Sequence, residues 1–281
     1  AEDCTRYMKA LFSDWRAEGI TSVLHEKLGG YANNSRAMVG LAGKVEALGV
    51  CIITGISVTG FKSDNSGAVT AIETDKGQID CDYCVVAAGP WVRQLWSMLD
   101  LPMTVGIRNP ATDEIADGIP MWTYWSLQEG TLGVDPKLQV TNEGEMPPVI
   151  HVDTDAPLHS DEDGRLITDE MWGIYYKPDF HFGGVQGGAA PFIVDKPADD
   201  VAVDPYGPAS PEFIVGPEFA DMWVSALAHC QARFSGTIPQ FKKEPSGGIG
   251  AFTPDSFPVF DAMRENCFVI ADSNHGYKMI G

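Results

Sequence analysis

Two stretches of this sequence place a glycine turn directly behind an apolar strand. One is Val85-Val86-Ala87-Ala88-Gly89-Pro90-Trp91; the other is Val269-Ile270-Ala271-Asp272 running into Asn274-His275-Gly276-Tyr277-Lys278. A strand that ends this way presents backbone N–H groups at its carboxyl end, where open α/β sheets receive ligands. Each stretch alone serves as a packing turn as readily as a site. Other spacings carry less. Cys81-Asp82-Tyr83-Cys84 has redox or zinc spacing, but there is no second pair to complete four zinc ligands. It also sits between strands rather than at a helix N-terminus, where a thiolate would be stabilised. His159 to Glu170 nearly fits a calcium loop, with Asp161, Asp163, Gly164 and Glu170 in place. His159 stands where the first ligand belongs, however, and Pro157 argues against an entering helix, so a solvated hairpin tip accounts for the same acids. The glycines of Phe182 to Gly188 suit either a simple turn or the close approach of backbone to a flat ligand. No Gly-x-Ser-x-Gly, His-Glu-x-x-His or intact Gly-x-Gly-x-x-Gly occurs.

The elements that must position these residues follow from periodicity. Met8, Leu11, Phe12 and Trp15 predict a first helix stopped near Gly19, and Met38, Leu41, Val45 and Leu48 a second, capped at Asn34 or Ser35 and ended at Gly49. Strands are expected over 50–53, 56–61, 68–74, 78–81 and 83–88. The middle three form a meander around the polar turn 62–67, and a helix follows over 91–99. From Leu101 to Pro211 the texture is rich in Pro, Gly and aromatics. Strands are expected at 121–127, 148–152, 173–176 and 183–186, antiparallel because no crossover helix separates them. A long helix runs from Pro217 to about Phe234, and strands return at 248–252 and 267–271.

The composition is that of a folded chain: 281 residues, 44% hydrophobic, with 30 Gly lacking any period of three. A formal charge of −20 repels phosphate backbones and anionic lipid, so neither nucleic acid nor a membrane surface is an expected partner. Six scattered cysteines and no secretory start are read as reduced residues of a cytoplasmic protein.

Taken as an ordered set, these residues resemble the D-amino-acid oxidase class of FAD-dependent oxidoreductases, which includes sarcosine oxidase, glycine oxidase and dimethylglycine dehydrogenase. The set is Gly30-Tyr31 and the helix after it, Leu48-Gly49-Val50 leading to Val58-Thr59-Gly60, Val69 to Thr74, Val85 to Trp91, Gly173-Ile174-Tyr175-Tyr176, Thr253 to Pro258 and His275 to Lys278. The resemblance implies an incomplete Rossmann-like FAD-binding domain over 1–106 and 248–281, with an antiparallel-sheet substrate domain over 107–247 between its parts. The overall class would be α/β plus α+β. The resemblance starts after the family's Gly-x-Gly-x-x-Gly unit and stops just past the flavin-contacting turn, so the chain is expected to be truncated at both ends. It further implies that Val58, Ala88, Gly89, Trp91, Asn274, His275, Gly276 and Tyr277 contact FAD, and that Lys278, Tyr176 and Gln186 contact the substrate. Gly248-Ile249-Gly250 stands where flavin-linked members carry Cys, so the FAD is expected to be non-covalent. Gln186 at an oxygen-activating lysine position favours a dehydrogenase. The reaction implied is oxidation of the C–N bond of a small amine or amino acid by hydride transfer to flavin. The alternative is a cofactor-free, non-catalytic binding module that keeps the substrate domain.

Overall fold

Alternating polarity along the longer strands gives one sheet a core face and a polar face. A computed structural model describes residues 2–27, 33–146, 149–189, 192–193, 196–201, 203, 215–255 and 257–271. The chain divides into two compact units: Ala1–Ala32, Ser126–Phe192 and Gly207–Gly248 form one, and Asn33–Trp125, Ile193–Tyr206 and Ile249–Gly281 the other. Residues 1–32 thus group with the large sheet, whereas the sequence boundaries drawn at 106 and 248 had placed them with the glycine-turn strands.

In the first unit the strands lie in the order Ile20–Glu26, Val149–Thr154, Trp172–Asp179, Gly184–Ala189, Thr123–Leu132 and Phe192–Ile193, with Phe241–Phe252 also pairing to Thr123–Leu132. The neighbours from Ile20–Glu26 through Thr123–Leu132 are antiparallel, as expected. The core face presents Ile150, Val152, Ile174, Tyr176, Val185 and Leu132 to Met8, Phe12, Trp223 and Leu227. Gly130 has no side chain because the Phe241 ring occupies the space a Cβ would need. The long helix spans Pro217–Cys230 and stops four residues short of the expected end, since Gln231 takes extended backbone (φ −134°, ψ 125°). Arg233, just beyond it, grips Asp14 through two guanidinium nitrogens, donates to the Leu138 and Val140 carbonyls and covers the Phe12 ring.

The second unit contains the expected meander, as strands Val58–Ser63, Val69–Thr74 and Gly77–Asp80. It also contains a three-stranded sheet in the order Val259–Arg264, Cys267–Ala271, Cys84–Val86, and a hairpin of Thr104–Arg108 with Ile115–Pro120. Asp64 closes the first meander turn by accepting from the Ser66 and Ala68 N–H groups. Helix Asn34–Ala47 is capped by Asn33, whose side chain accepts from Arg36 N at 3.0 Å, so the cap lies just before the expected Asn34 or Ser35. Its apolar residues Met38, Leu41 and Leu48 are exposed, and residues 50–53 form no strand among the described residues. No helix among the described residues is long and apolar enough to cross a membrane.

Candidate functional site

The carboxyl edge of the parallel strand pair is the first feature of interest. Cys267–Ala271 and Cys84–Val86 run parallel with Val269 level with Val86, so Ala271 and Ala88 stand two residues further on at the same edge. There the chain turns through Gly89–Trp91 into helix Val92–Met98. Gly89 has φ +54°, a left-handed conformation that favours glycine, and no atom lies within 4 Å of the place a Cβ would take. Tyr124 fixes the turn by donating its hydroxyl to the Pro90 carbonyl at 2.9 Å. Ala88 and Trp91 are half-buried beside it. Val58 opens the first meander strand, which packs against helix Val92–Met98. This edge therefore places an exposed glycine turn at a strand-to-helix junction, the part of an open α/β sheet where ligands are received. Of the other residues expected to contact FAD, Asn274, His275, Gly276 and Tyr277 lie outside the described residues. So do Gly30, Tyr31 and the substrate candidate Lys278.

The second feature is the polar face of the large sheet. Register aligns Leu24, His151, Tyr175, Gly188 and Glu129 in one row across five strands. Tyr175 donates its hydroxyl to the Glu129 carboxylate. A Cβ on Gly188 would lie 2.9 Å from that hydroxyl, so the missing side chain lets the phenol reach across the strand. The His151 ring lies against Tyr175, centroids 5.7 Å apart and planes 32° apart, with its Nε2 3.0 Å from Glu26 Oε1. In the next row Lys177 Nζ sits 2.6 Å from Gln186 Oε1 and 3.1 Å from Asp179 Oδ2. Burial, and then the Glu129 carboxylate, push the Tyr175 phenol well up, so it remains a proton donor at neutral pH. Burial alone would raise the Asp179 carboxyl. The N–H groups of Phe182 and His181 and the Lys177 ammonium outweigh it and hold the group below its ordinary value.

Gln186 thus lies on this face, paired to Lys177. Tyr176 does not: it is fully buried on the core face, its hydroxyl donates to Gln231 Oε1 at 2.7 Å, and its ring meets Phe234 edge-on. Sequence reasoning had passed over Tyr175, Glu129, His151, Glu26 and Lys177. One signal was available, because Lys177 marks the solvated parity of its strand and Tyr175 shares that parity.

Two acids of the calcium-like loop, Asp161 and Asp163, accept hydrogen bonds from the backbone N–H groups of Gly236 and Arg165. Ser160 and Arg165 bind Asp221. Among the described residues no group of three or more His, Cys, Asp or Glu is placed to hold a metal ion. A chelator is accordingly expected to leave the melting temperature unchanged. A fall on adding it, restored by calcium, would return the loop to the list of metal sites.

Residues 3–112 match the sequence pattern of the family described as FAD dependent oxidoreductase (DAO), which upholds the resemblance to the D-amino-acid oxidase class. No curated protein matches the chain. Among solved structures it is similar to L-proline dehydrogenase from P. horikoshii, at 16% identity and a TM-score of 0.54, over 88% of this chain and 52% of that one. It is also similar to fructosyl peptide oxidase from E. terrenum, at 13% identity and a TM-score of 0.52, over 90% of this chain and 52% of that one. A third likeness is to glycerol-3-phosphate dehydrogenase from Bacillus halodurans complexed with FAD, at 16% identity and a TM-score of 0.51, over 88% of this chain and 41% of that one. At such identities the likeness concerns the fold, and it upholds the mixed α/β and antiparallel architecture. The chain spans roughly half the length of these proteins or less.

Proposed function

We propose that this chain, whose residues 3–112 match the FAD dependent oxidoreductase family, is part of an FAD-dependent enzyme that oxidises the C–N bond of a small amine or amino acid. The observation that carries this reading is the open, left-handed Gly89 turn at the shared carboxyl edge of the two parallel strands. In the proposal the cofactor lies at the second unit, held without a covalent bond by Ala88, Gly89 and Trp91, with Val58 toward its adenine side. Asn274, His275, Gly276 and Tyr277, outside the described residues, are proposed as further FAD contacts. FAD would supply a two-electron hydride acceptor. Two of the three similar proteins, L-proline dehydrogenase and fructosyl peptide oxidase, are named for amine-bearing substrates, and the third, glycerol-3-phosphate dehydrogenase, is not.

The large sheet takes the substrate role. We assign substrate contact to Tyr175, Glu129 and Gln186, with Tyr175 in place of Tyr176, because the Tyr176 hydroxyl is occupied by Gln231 in the core. Tyr175 stays protonated and, with the Glu129 carboxylate, offers a donor and a negative charge to a substrate nitrogen. His151 and Glu26 hold the Tyr175 ring in place. The chain's own contribution is therefore to orient the amine, not to attack it with a nucleophile. Six free thiols favour a reducing compartment, so we place the protein in the cytoplasm.

The test is titration with FAD. Saturable quenching of flavin fluorescence is expected, together with a gain of about 2.7 kcal/mol in stability at a hundredfold excess over Kd. A colourless protein whose melting temperature ignores FAD would overturn the reading and leave the cofactor-free binding module. In the FAD-loaded protein, Tyr175→Phe is expected to raise KM for the amine about tenfold, the worth of one hydrogen bond to a charged group. An unchanged KM would remove Tyr175 from the substrate surface.

A further inference from the structure

Three of the six cysteines lie close together in the second unit, and the proposed function uses none of them. Cys84 and Cys267 face each other in register on the two parallel strands, with their sulfurs 3.0 Å apart. Both are buried, at 6% and 0% exposure, and both are free thiols. Adjacent strands stand about 4.8 Å apart, inside the roughly 4.4–6.8 Å between Cα atoms that a disulfide bridges without moving backbone. The two residues are 183 positions apart in the chain, so a bond between them would close a long loop. We propose that Cys84 and Cys267 are a redox modification site, which an oxidant such as hydrogen peroxide converts to a disulfide joining the two strands.

In that step both S–H bonds break and one S–S bond forms. The two electrons and two protons released by the thiols pass to the peroxide, whose O–O bond breaks to give two waters. Burial, and then the neighbouring Cys267 sulfur, push the Cys84 thiol up to about 12, so little thiolate is present at neutral pH and the oxidation is expected to be slow. Cys81, half-buried beside them, is the thiol nearest to solvent in this cluster. Most cytosolic disulfides are transient and regulatory, and this one would fix the strand pair whose carboxyl edge forms the Gly89 turn.

The experiment uses the full chain with diamide and, separately, with hydrogen peroxide under native conditions, followed by alkylation, digestion and peptide mass mapping. The expected result is a peptide pair cross-linked through Cys84 and Cys267, lighter by two hydrogens, and released by dithiothreitol. The oxidised protein is expected to melt at a higher temperature. Recovery of Cys84 and Cys267 as separately alkylated peptides, or of a Cys81–Cys84 bond in place of the proposed one, would overturn the inference. Cys267→Ala is expected to abolish the cross-link. If that variant does not fold, the map of the unaltered protein decides alone. Because the readout needs no flavin, failure here is distinct from failure to bind FAD.

Discussion

Trp223→Ala is expected to remove about 4 kcal/mol from the stability of the large-sheet unit, the usual cost of emptying a large aromatic from a packed core. Trp223 is fully buried on helix Pro217–Cys230. It stacks on Phe219 with planes 7° apart and meets Phe241 edge-on at 6.3 Å between centroids. The same ring supports the polar face, because its indole N–H points at the Tyr175 carbonyl at 3.4 Å. Phe241 cannot slide in to fill the vacancy without leaving the space over Gly130, so the cavity stays largely open. Trp223→Phe keeps an aromatic ring at the site but loses the indole bond and part of the ring volume, an expected cost of about 2 kcal/mol. Thermal or denaturant unfolding of both variants checks the ranking. If Trp223→Ala cost no more than Trp223→Phe, the core would be centred elsewhere.

Much of this architecture was legible because local patterns and long-range packing agree in it. Cys267–Ala271 was expected at those bounds, since five apolar residues between Asn266 and Asp272 admit little else. The meander was legible for the same reason, with a turn of Ser, Asp, Asn and Gly that Asp64 closes by its own side chain. Residues 50–53 are just as apolar, yet they pair with no strand among the described residues, because composition states a preference for burial and not the partner that provides it. The strand Ile20–Glu26 was missed for the opposite reason: Thr21, Ser22, His25 and Glu26 hide a strand whose stability comes from its pairing with Val149–Thr154.

The candidate site was less legible than the fold, and the cause is parity. Moving one residue along a strand exchanges the two faces of a sheet, so an assignment one position off sends Tyr176 into the core and Tyr175 onto the polar face. Glu129, His151 and Glu26 lie far apart in sequence and meet only through register, which no local spacing encodes. The Gly89 turn, by contrast, was visible in the sequence because strand, glycine and helix are contiguous there.

Arg233→Ala is the second large expected effect, about 3 kcal/mol, because it takes the guanidinium from a half-buried carboxylate and from two carbonyl oxygens. The pair joins Asp14, after the first helix, to the turn that follows the long helix, and the guanidinium also lies 5.4 Å from the centre of the Phe12 ring. Burial by itself would raise the Asp14 carboxyl, but the hydrogen bonds and charge of Arg233 exceed that effect and hold it below its ordinary value. A carboxyl depressed on folding contributes stability that is present above its unfolded pKa and lost as pH falls through the folded one. The stability gap between the unaltered protein and Arg233→Ala is therefore expected to be full at pH 7 and to narrow below about pH 4, where Asp14 begins to take up a proton in the unfolded chain. In Arg233→Ala the Asp14 carboxylate keeps the residue-233 backbone N–H and the Gln231 side chain but loses the guanidinium that neutralised it, so the variant is expected to recover part of its loss when Asp14→Asn is added. Urea unfolding of both single variants and the double variant at pH 7 and pH 3 measures each of these. Additive losses at pH 7, or a gap that does not change with pH, would show that Arg233 stabilises this corner through the Leu138 and Val140 carbonyls and Phe12 and not through Asp14.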